Sequence, residues 1–280
     1  FTGKFCNEVL RDALLLKGEE RYGSILEKTD WAEAVGVDEY GLFSVLHDLK
    51  FRFIPEFQVP RNVDRVYSIR RDLVHFPVQA FWYQESPLTW DDWNRLDTDV
   101  NHPISSTQPV RYRNLPQLQQ FVGNLSGVRL PTTLEWESAC FQAYSETKPG
   151  WDYEYGVEFS SPIPESGSFW NEKCDLDQLL KRTDLCPEDK SAVDKFISIA
   201  LSEDLGPVRH QRYYALPVKC FPANKLGLYD FLHTIGEWAF DEASGNWAIM
   251  GGTHNLSWID NLDRQSGYFY HHGIRLVRPV

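Results

Sequence analysis

A chain of 280 residues, with 42% hydrophobic and 24% charged residues, has the composition of an ordinary globular protein of one large domain or two small ones. Its formal net charge of -12 excludes nucleic acid as the main partner, because phosphate binding needs a positive face. No apolar run approaches the ~20 residues of a membrane helix, so no membrane span is expected.

In chain order, residues 4–27 read as helical, with Val9, Leu10, Ala13, Leu14 and Leu16 crowding one side. Thr29-Asp30 predicts a short helix through Trp31 and Ala34, ended by Gly36. The texture then changes: Leu42–Leu46 and Lys50–Ile54 predict a hairpin, with Phe51 and Phe53 on one strand face. Arg61, Arg65, Arg70 and Arg71 read as a solvated basic face. Val78–Tyr83 predicts a strand, and a helix follows with Thr89 as N-cap and Asp91-Asp92 in its first turn. Leu115, Leu118, Phe121, Val122 and Leu125 sit at helical spacing. Thr132 and Glu135 form a T-x-x-E capping box, which places Trp136 and Cys140 on one face and leaves Glu137 to solvent or an Arg.

Residues 141–171 are aromatic and loop-rich. Helices are predicted at 172–182 and 187–202, the second with Pro187 in its first turn. Arg212–Phe221 reads as strand and leads into Phe221–Asp241, a buried stretch with a Gly227 turn. Within it, buried Asp230 and Glu237 each need a partner: a backbone N–H, an Arg or a cation. Strands are expected at Ala248–Met250 and Ile274–Val277. With no repeat or low-complexity linker, the expected organisation is a helical N-terminal extension over 1–35 and one domain over 36–280 carrying a helical insertion near 172–202.

Cys6, Cys140, Cys174, Cys186 and Cys220 are scattered, odd in number and without a CxxC pair. They predict reduced, mostly buried thiols and a cytoplasmic protein. The chain opens at Phe1 rather than Met, so an earlier N-terminal segment with a secretion signal is left open. There is no GxSxG, no Gly-rich phosphate loop and no HExxH.

The order of segments is more telling than any one of them. PVQAFWYQESPLTWDDW, RLPTTLEWESA, FPANKLGLYDF with GEW, a GG pair and a terminal GIRLVRP resemble the formylglycine-generating-enzyme, or sulfatase-modifying-factor, family over roughly residues 77–280. The resemblance implies an α+β, C-type-lectin-like fold, loop-rich, with small twisted antiparallel sheets and several helices. Function depends on the site that such a fold carries. The oxidase members use two cysteine thiolates near the C-terminus to hold copper, a soft ion that needs sulfur. Here no Cys follows Cys220, and the matching window reads GGTHNLSWIDNLDRQSGYFYHHG from Gly251 to Gly273. A second branch holds non-haem iron with three histidines. His254, His271 and His272 would have to converge to do so, and adjacent His271 and His272 point apart on a strand. Family calcium is held by Asn and acid side chains. Ser168 and Thr234 stand at the matching positions, which leaves Glu237 as the remaining calcium candidate and no other cofactor expected.

The same window has the make-up of a binding surface: rigid aromatic anchors among short polar groups. The variable proteins of diversity-generating retroelements share this fold branch, and Trp247, Gly251-Gly252 and Gly273-Ile274-Arg275 match their frame. The reading is a non-catalytic ligand-binding protein, a retroelement-diversified variable protein with a protein or other macromolecular ligand at the 253–272 face. Its contact residues are His254, Asn255, Ser257, Trp258, Asp260, Asn261, Asp263, Gln265, Tyr268, Tyr270, His271 and His272. The alternatives are a metal-dependent oxidase or sulfur-transfer enzyme of the family, and a scaffold or regulatory domain with helices 1–35 and 172–202 as partner surfaces.

Overall fold

A computed structural model describes residues 22–62, 73–97, 106–111, 113–144, 151–152, 158–159, 185–200, 216–219, 223–230, 235–251 and 272–280. The predicted helix over 4–27 is met by helix α1, Gly23–Leu26, and its part before residue 22 lies outside the described residues. The Thr29 hydroxyl closes α1 by donating to the Leu26 carbonyl at 2.8 Å. The helix expected from Thr29 through Ala34 does not form: the chain turns and enters strand β1, Ala34–Asp38. Val35 and Val37 favour extended backbone, and Gly36 lies flat under the Phe43 ring, where a Cβ would come within 2.4 Å.

The predicted hairpin is strands β2, Gly41–Leu46, and β3, Leu49–Ile54. Its two-residue turn, His47-Asp48, has φ of 53° and 58°. That left-handed pair twists the turn in the sense that the strands require. Strand β4, Phe57–Asn62, pairs with β5, Leu73–Val78. Strand β6, Phe81–Gln84, pairs with β3, and the two-residue strands β7, Trp151–Asp152, and β8, Glu158–Phe159, pair with each other. The single strand expected over 78–83 is therefore split at Gln79-Ala80, where the chain changes pairing partner: Val78 faces Phe57 and Phe81 faces Ile54. With β11, Val277–Pro279, on the far side of β6, the sheet order is β1-β2-β3-β6-β11.

Alternation along β3 and β6 divides the interior in two. Phe51, Phe53 and Trp82 point to one cluster with Trp93, Phe121 and Trp238. Ile54, Phe81 and Tyr83 point to the other with Trp136, Cys140 and Ala239. Each fully buried ring or branched chain here gains ~1.5–3 kcal/mol. Helices α2, Trp90–Leu96, and α3, Leu115–Gly123, seal the first cluster; Phe121 stacks on Trp93 with ring centres 3.9 Å apart. Both helices begin with reciprocal capping boxes, Thr89 with Asp92 and Asn114 with Gln117.

Helix α4, Thr133–Tyr144, carries the predicted Thr132–Glu135 box, with the Glu135 amide donating to Thr132 Oγ1 at 3.1 Å and the Thr132 amide to Glu135 Oε2 at 2.8 Å. It packs against β4, β5 and the two strands of the C-terminal hairpin, so it is covered on nearly every side. Of the two readings of Glu137, solvent or an Arg, that removes the first, since the residue is 2% exposed. Helix α5, Pro187–Ala200, matches the second insertion helix; 172–182 and the side chains of the 61–71 arginines lie outside the described residues. The Asp189 carboxylate ties α5 down, accepting from Ser106 Oγ at 2.7 Å and Thr107 Oγ1 at 2.8 Å. Those hydroxyl bonds hold its pKa below the usual carboxylate value, against burial, which acts the other way.

Candidate functional site

The hairpin that precedes residues 252–271 in the chain consists of β9, Gly236–Asp241, and β10, Asn246–Gly251. Its register sets Gly251 opposite Gly236. On the other flank of β9 the returning chain bonds to the same place: the Gly273 amide donates to the Gly236 carbonyl at 2.8 Å, and the Trp238 amide to the Gly273 carbonyl at 3.1 Å. The chain therefore leaves β10 at Gly251 and comes back at Gly273 on opposite sides of one residue, Gly236. Backbone bonds make both anchors. Gly273 itself fits closely, since a Cβ there would stand 3.3 Å from Ile235 and 3.4 Å from the Val110 carbonyl.

Strand β9 is buried on both faces, Trp238 in the first cluster and Ala239 in the second. Glu237 shares the Ala239 face, so its carboxylate lies in an apolar interior at 0% exposure. The partner is Arg275, also at 0% exposure, whose Nε and Nη2 reach Glu237 Oε1 at 2.9 and 2.8 Å. The Tyr83 hydroxyl donates to Glu237 Oε2 at 3.4 Å. Burial holds the Glu237 carboxyl above its ordinary pKa, with Arg275 pulling against it. The rest of the Arg275 guanidinium is spent on carbonyls: Nη1 donates to Glu85 O at 2.9 Å and Nη2 to Tyr229 O at 2.8 Å. One side chain thus joins the C-terminal segment, the end of β6, β9 and the Gly227 turn.

The turn needs its glycine. Gly227 has φ of 74°, and a Cβ would stand 2.6 Å from Arg52 Nε. Asn224 folds it, its Oδ1 accepting from the Leu226 and Leu228 amides at 3.0 and 3.1 Å. Asp230, 3% exposed with φ of 54°, accepts from the Lys219 amide at 2.5 Å. Burial pushes its pKa up to about 6, opposed by the Lys219 amide and Arg275. Beside it, buried Glu85 collects Arg52 at 2.6 Å, Lys219 at 2.8 Å and Lys50 at 3.4 Å. Asp38 takes the other nitrogen of Arg52, Nη1, at 2.6 Å and shares the Lys50 ammonium at 2.8 Å.

The strand expected over Arg212–Phe221 is not seen where the chain is described: 216–219 is a bend, with Lys219 at φ of 63°. At the C-terminus the strand begins at Val277, later than expected, while Ile274 and Leu276 bond through their carbonyls to the Leu88 and Gln84 amides.

Of the predicted contact residues, His272 is described: half-buried, its ring meets Trp238 edge-on at 6.0 Å. His254, Asn255, Ser257, Trp258, Asp260, Asn261, Asp263, Gln265, Tyr268, Tyr270 and His271 lie outside the described residues, as do Ser168 and Thr234. Glu237, the calcium candidate, is ion-paired with Arg275. Among the described residues no group of three or more His, Cys, Asp or Glu side chains is arranged to hold a metal.

The copper chemistry of the resemblance does not fit. Cys140 is buried, its thiol pushed well up by burial and by Glu137, and Cys186 Sγ accepts from the Asp189 amide at the start of α5. No cysteine exists beyond Cys220 to replace the missing thiolates. Sequence reasoning placed Arg275 in the C-terminal frame without pairing it with Glu237, and it passed over Lys219. The signal for Arg275 was a cation inside an apolar run, Ile274–Val277, in a chain with a buried acid to satisfy. Among the described residues no helix is long and apolar enough to cross a membrane.

The sulfatase-modifying factor enzyme 1-like domain matches residues 29–277. No curated protein matches the chain. Among solved structures, variable protein 1 of Treponema denticola is similar at 14% identity and a TM-score of 0.49, over 85% of this chain and 96% of that one.

Proposed function

The chain belongs to the sulfatase-modifying factor enzyme 1-like family, and from that premise we propose that it is a non-catalytic binding protein of C-type-lectin-like fold that presents residues 253–272 to a protein or other macromolecular ligand. The observation that carries this reading is the double anchorage at Gly236. The scaffold bonds Gly251 and Gly273 on the two flanks of Gly236, and this supports a reading in which the side chains between them serve contact. The composition of the segment suits contact: Trp258, Tyr268 and Tyr270 as anchors, with Asn255, Ser257 and Asn261 as adaptable hydrogen-bonding groups. Absence of the copper thiolates argues against oxidase chemistry. The reading asks for no cofactor, and Arg275 already meets the charge of Glu237 without calcium. Scattered cysteines, with Cys140 and Cys186 outside any disulfide, favour the cytoplasm. Retroelement diversification of the segment is part of the same proposal, since the 247–276 frame suits it.

The test uses the full chain as bait on a protein and glycan array, beside Trp258→Ala and Tyr270→Ala. Loss of the parent's signals in both variants, at an unchanged thermal midpoint, is the expected result. Signals that persist in both place the contact face elsewhere.

A further inference from the structure

Arg52 meets Asp38 and Glu85, Arg95 meets Asp92, Arg129 meets Glu135 and Arg275 meets Glu237. Arg113 differs. It is half-buried, and its guanidinium lies over the rings of Trp90 and Trp93, 5.3 and 5.4 Å from their centres. Its Nε is buried without a hydrogen-bond partner, and no acid among the described residues pairs with it. The rings attract the cation but do not accept its N–H groups as a carboxylate would. We propose that Arg113 is an anion-pairing point that takes a carboxylate of a peptide or protein ligand.

The side chain is held at both ends. The next residue, Asn114, caps α3, its amide donating to Gln117 Oε1 at 3.1 Å and its Oδ1 accepting from the Gln117 amide at 3.0 Å. At the other end both indoles are 3% exposed, and Trp93 is itself stacked on Phe121. A guanidinium fixed in this way has less freedom to lose on pairing. With Nε buried, the open fork is Nη1 and Nη2, the pair of donors that a planar carboxylate meets with two parallel bonds. The chain's net charge of -12 opposes a polyanion far more than one carboxylate on a mainly neutral peptide. Three residues earlier, the Val110 carbonyl borders the Gly273 anchor, so the inference rests on the binding reading above and names a chemical group of the ligand.

The test screens the full chain on a peptide array. Each sequence is printed with Asp or Glu, with Asn or Gln in its place, and with phosphoserine in its place. The parent should prefer acidic forms over their amides by about tenfold, the gain from one hydrogen-bond partner carrying charge. Arg113→Gln should lose that preference. Arg113→Lys keeps a cation over the rings and guards against a loss of fold; without the fork it should lose part of it. Arg95→Gln, at an arginine already paired with Asp92, should keep all of it. No acid preference in the parent, or one undiminished in both Arg113 variants, would overturn the proposal. A stronger preference for phosphoserine would overturn the choice of carboxylate. Trp258→Ala and Tyr270→Ala on the same array separate the two readings: an acid preference that survives in both leaves Arg113 standing and removes the 253–272 face.

Discussion

Arg275→Ala is expected to lower stability by about 3–5 kcal/mol, the range for stripping one partner from a buried ion pair. The side chain is fully buried and satisfies Glu237 together with the carbonyls of Gln84, Glu85 and Tyr229. Removing it leaves the buried Glu237 carboxylate to the Tyr83 hydroxyl at 3.4 Å and the Trp136 side chain, neither of them a cation, and takes one donor from each of three carbonyls, of which Glu85 O keeps the Tyr229 amide at 2.9 Å. For a chain of this size that corresponds to a fall in thermal midpoint of about 10–15 °C. Calorimetry on the single variants and on Arg275→Met with Glu237→Leu separates the causes. The double variant should recover part of the loss, because no lone charge remains buried. A midpoint for Arg275→Ala within about 2 °C of the parent, less than 1 kcal/mol for such a chain, would mean that the pair does not hold the segments together.

Trp238→Ala is expected to be comparably severe, about 3–5 kcal/mol, because a ring 3% exposed is removed from the larger cluster. Its second effect distinguishes it from an ordinary cavity. Trp238 meets the His272 ring edge-on, and its amide bonds to Gly273, so it supports the returning end of the 252–271 segment from within. A variant such as Trp82→Ala, in the same cluster but away from Gly273, should match the stability loss and spare the His272 ring. Nuclear magnetic resonance of the His272 ring checks this: its shift should move in Trp238→Ala and hold in Trp82→Ala. Equal shifts in both would deny Trp238 the supporting role.

Much of this scaffold was legible because its determinants are local. His47-Asp48 between two aromatic strands gave the hairpin, and Thr132 with Glu135 gave the start of α4. The need of Asp230 and Glu237 for partners was equally plain, since burial forbids a lone carboxylate. Which partners they have was hidden by distance along the chain. Arg275 lies 38 residues beyond Glu237, and Lys219 supplies its amide from 11 residues before Asp230. Long-range packing also explains the errors. Trp31–Ala34 carries a helix-start signal, but Phe43 on the neighbouring strand covers Gly36 and draws the chain into the sheet. Glu137 sits on a helix read as two-faced, yet α4 is wrapped by two hairpins. For the 253–272 face the signal was composition, and apart from His272 its residues lie outside the described residues.

The claim beneath the functional proposal is that the fold is complete without the side chains of residues 253–271. Its most direct measurement is the unfolding of a chain in which Thr253–His271 is replaced by a Gly/Ser segment of equal length. A cooperative transition within about 5 °C of the parent is predicted, the size of shift that one or two kcal/mol produces in a chain of this length. Loss of cooperative unfolding, or a fall as large as that of Arg275→Ala, would show that the segment is part of the core and contradict the account.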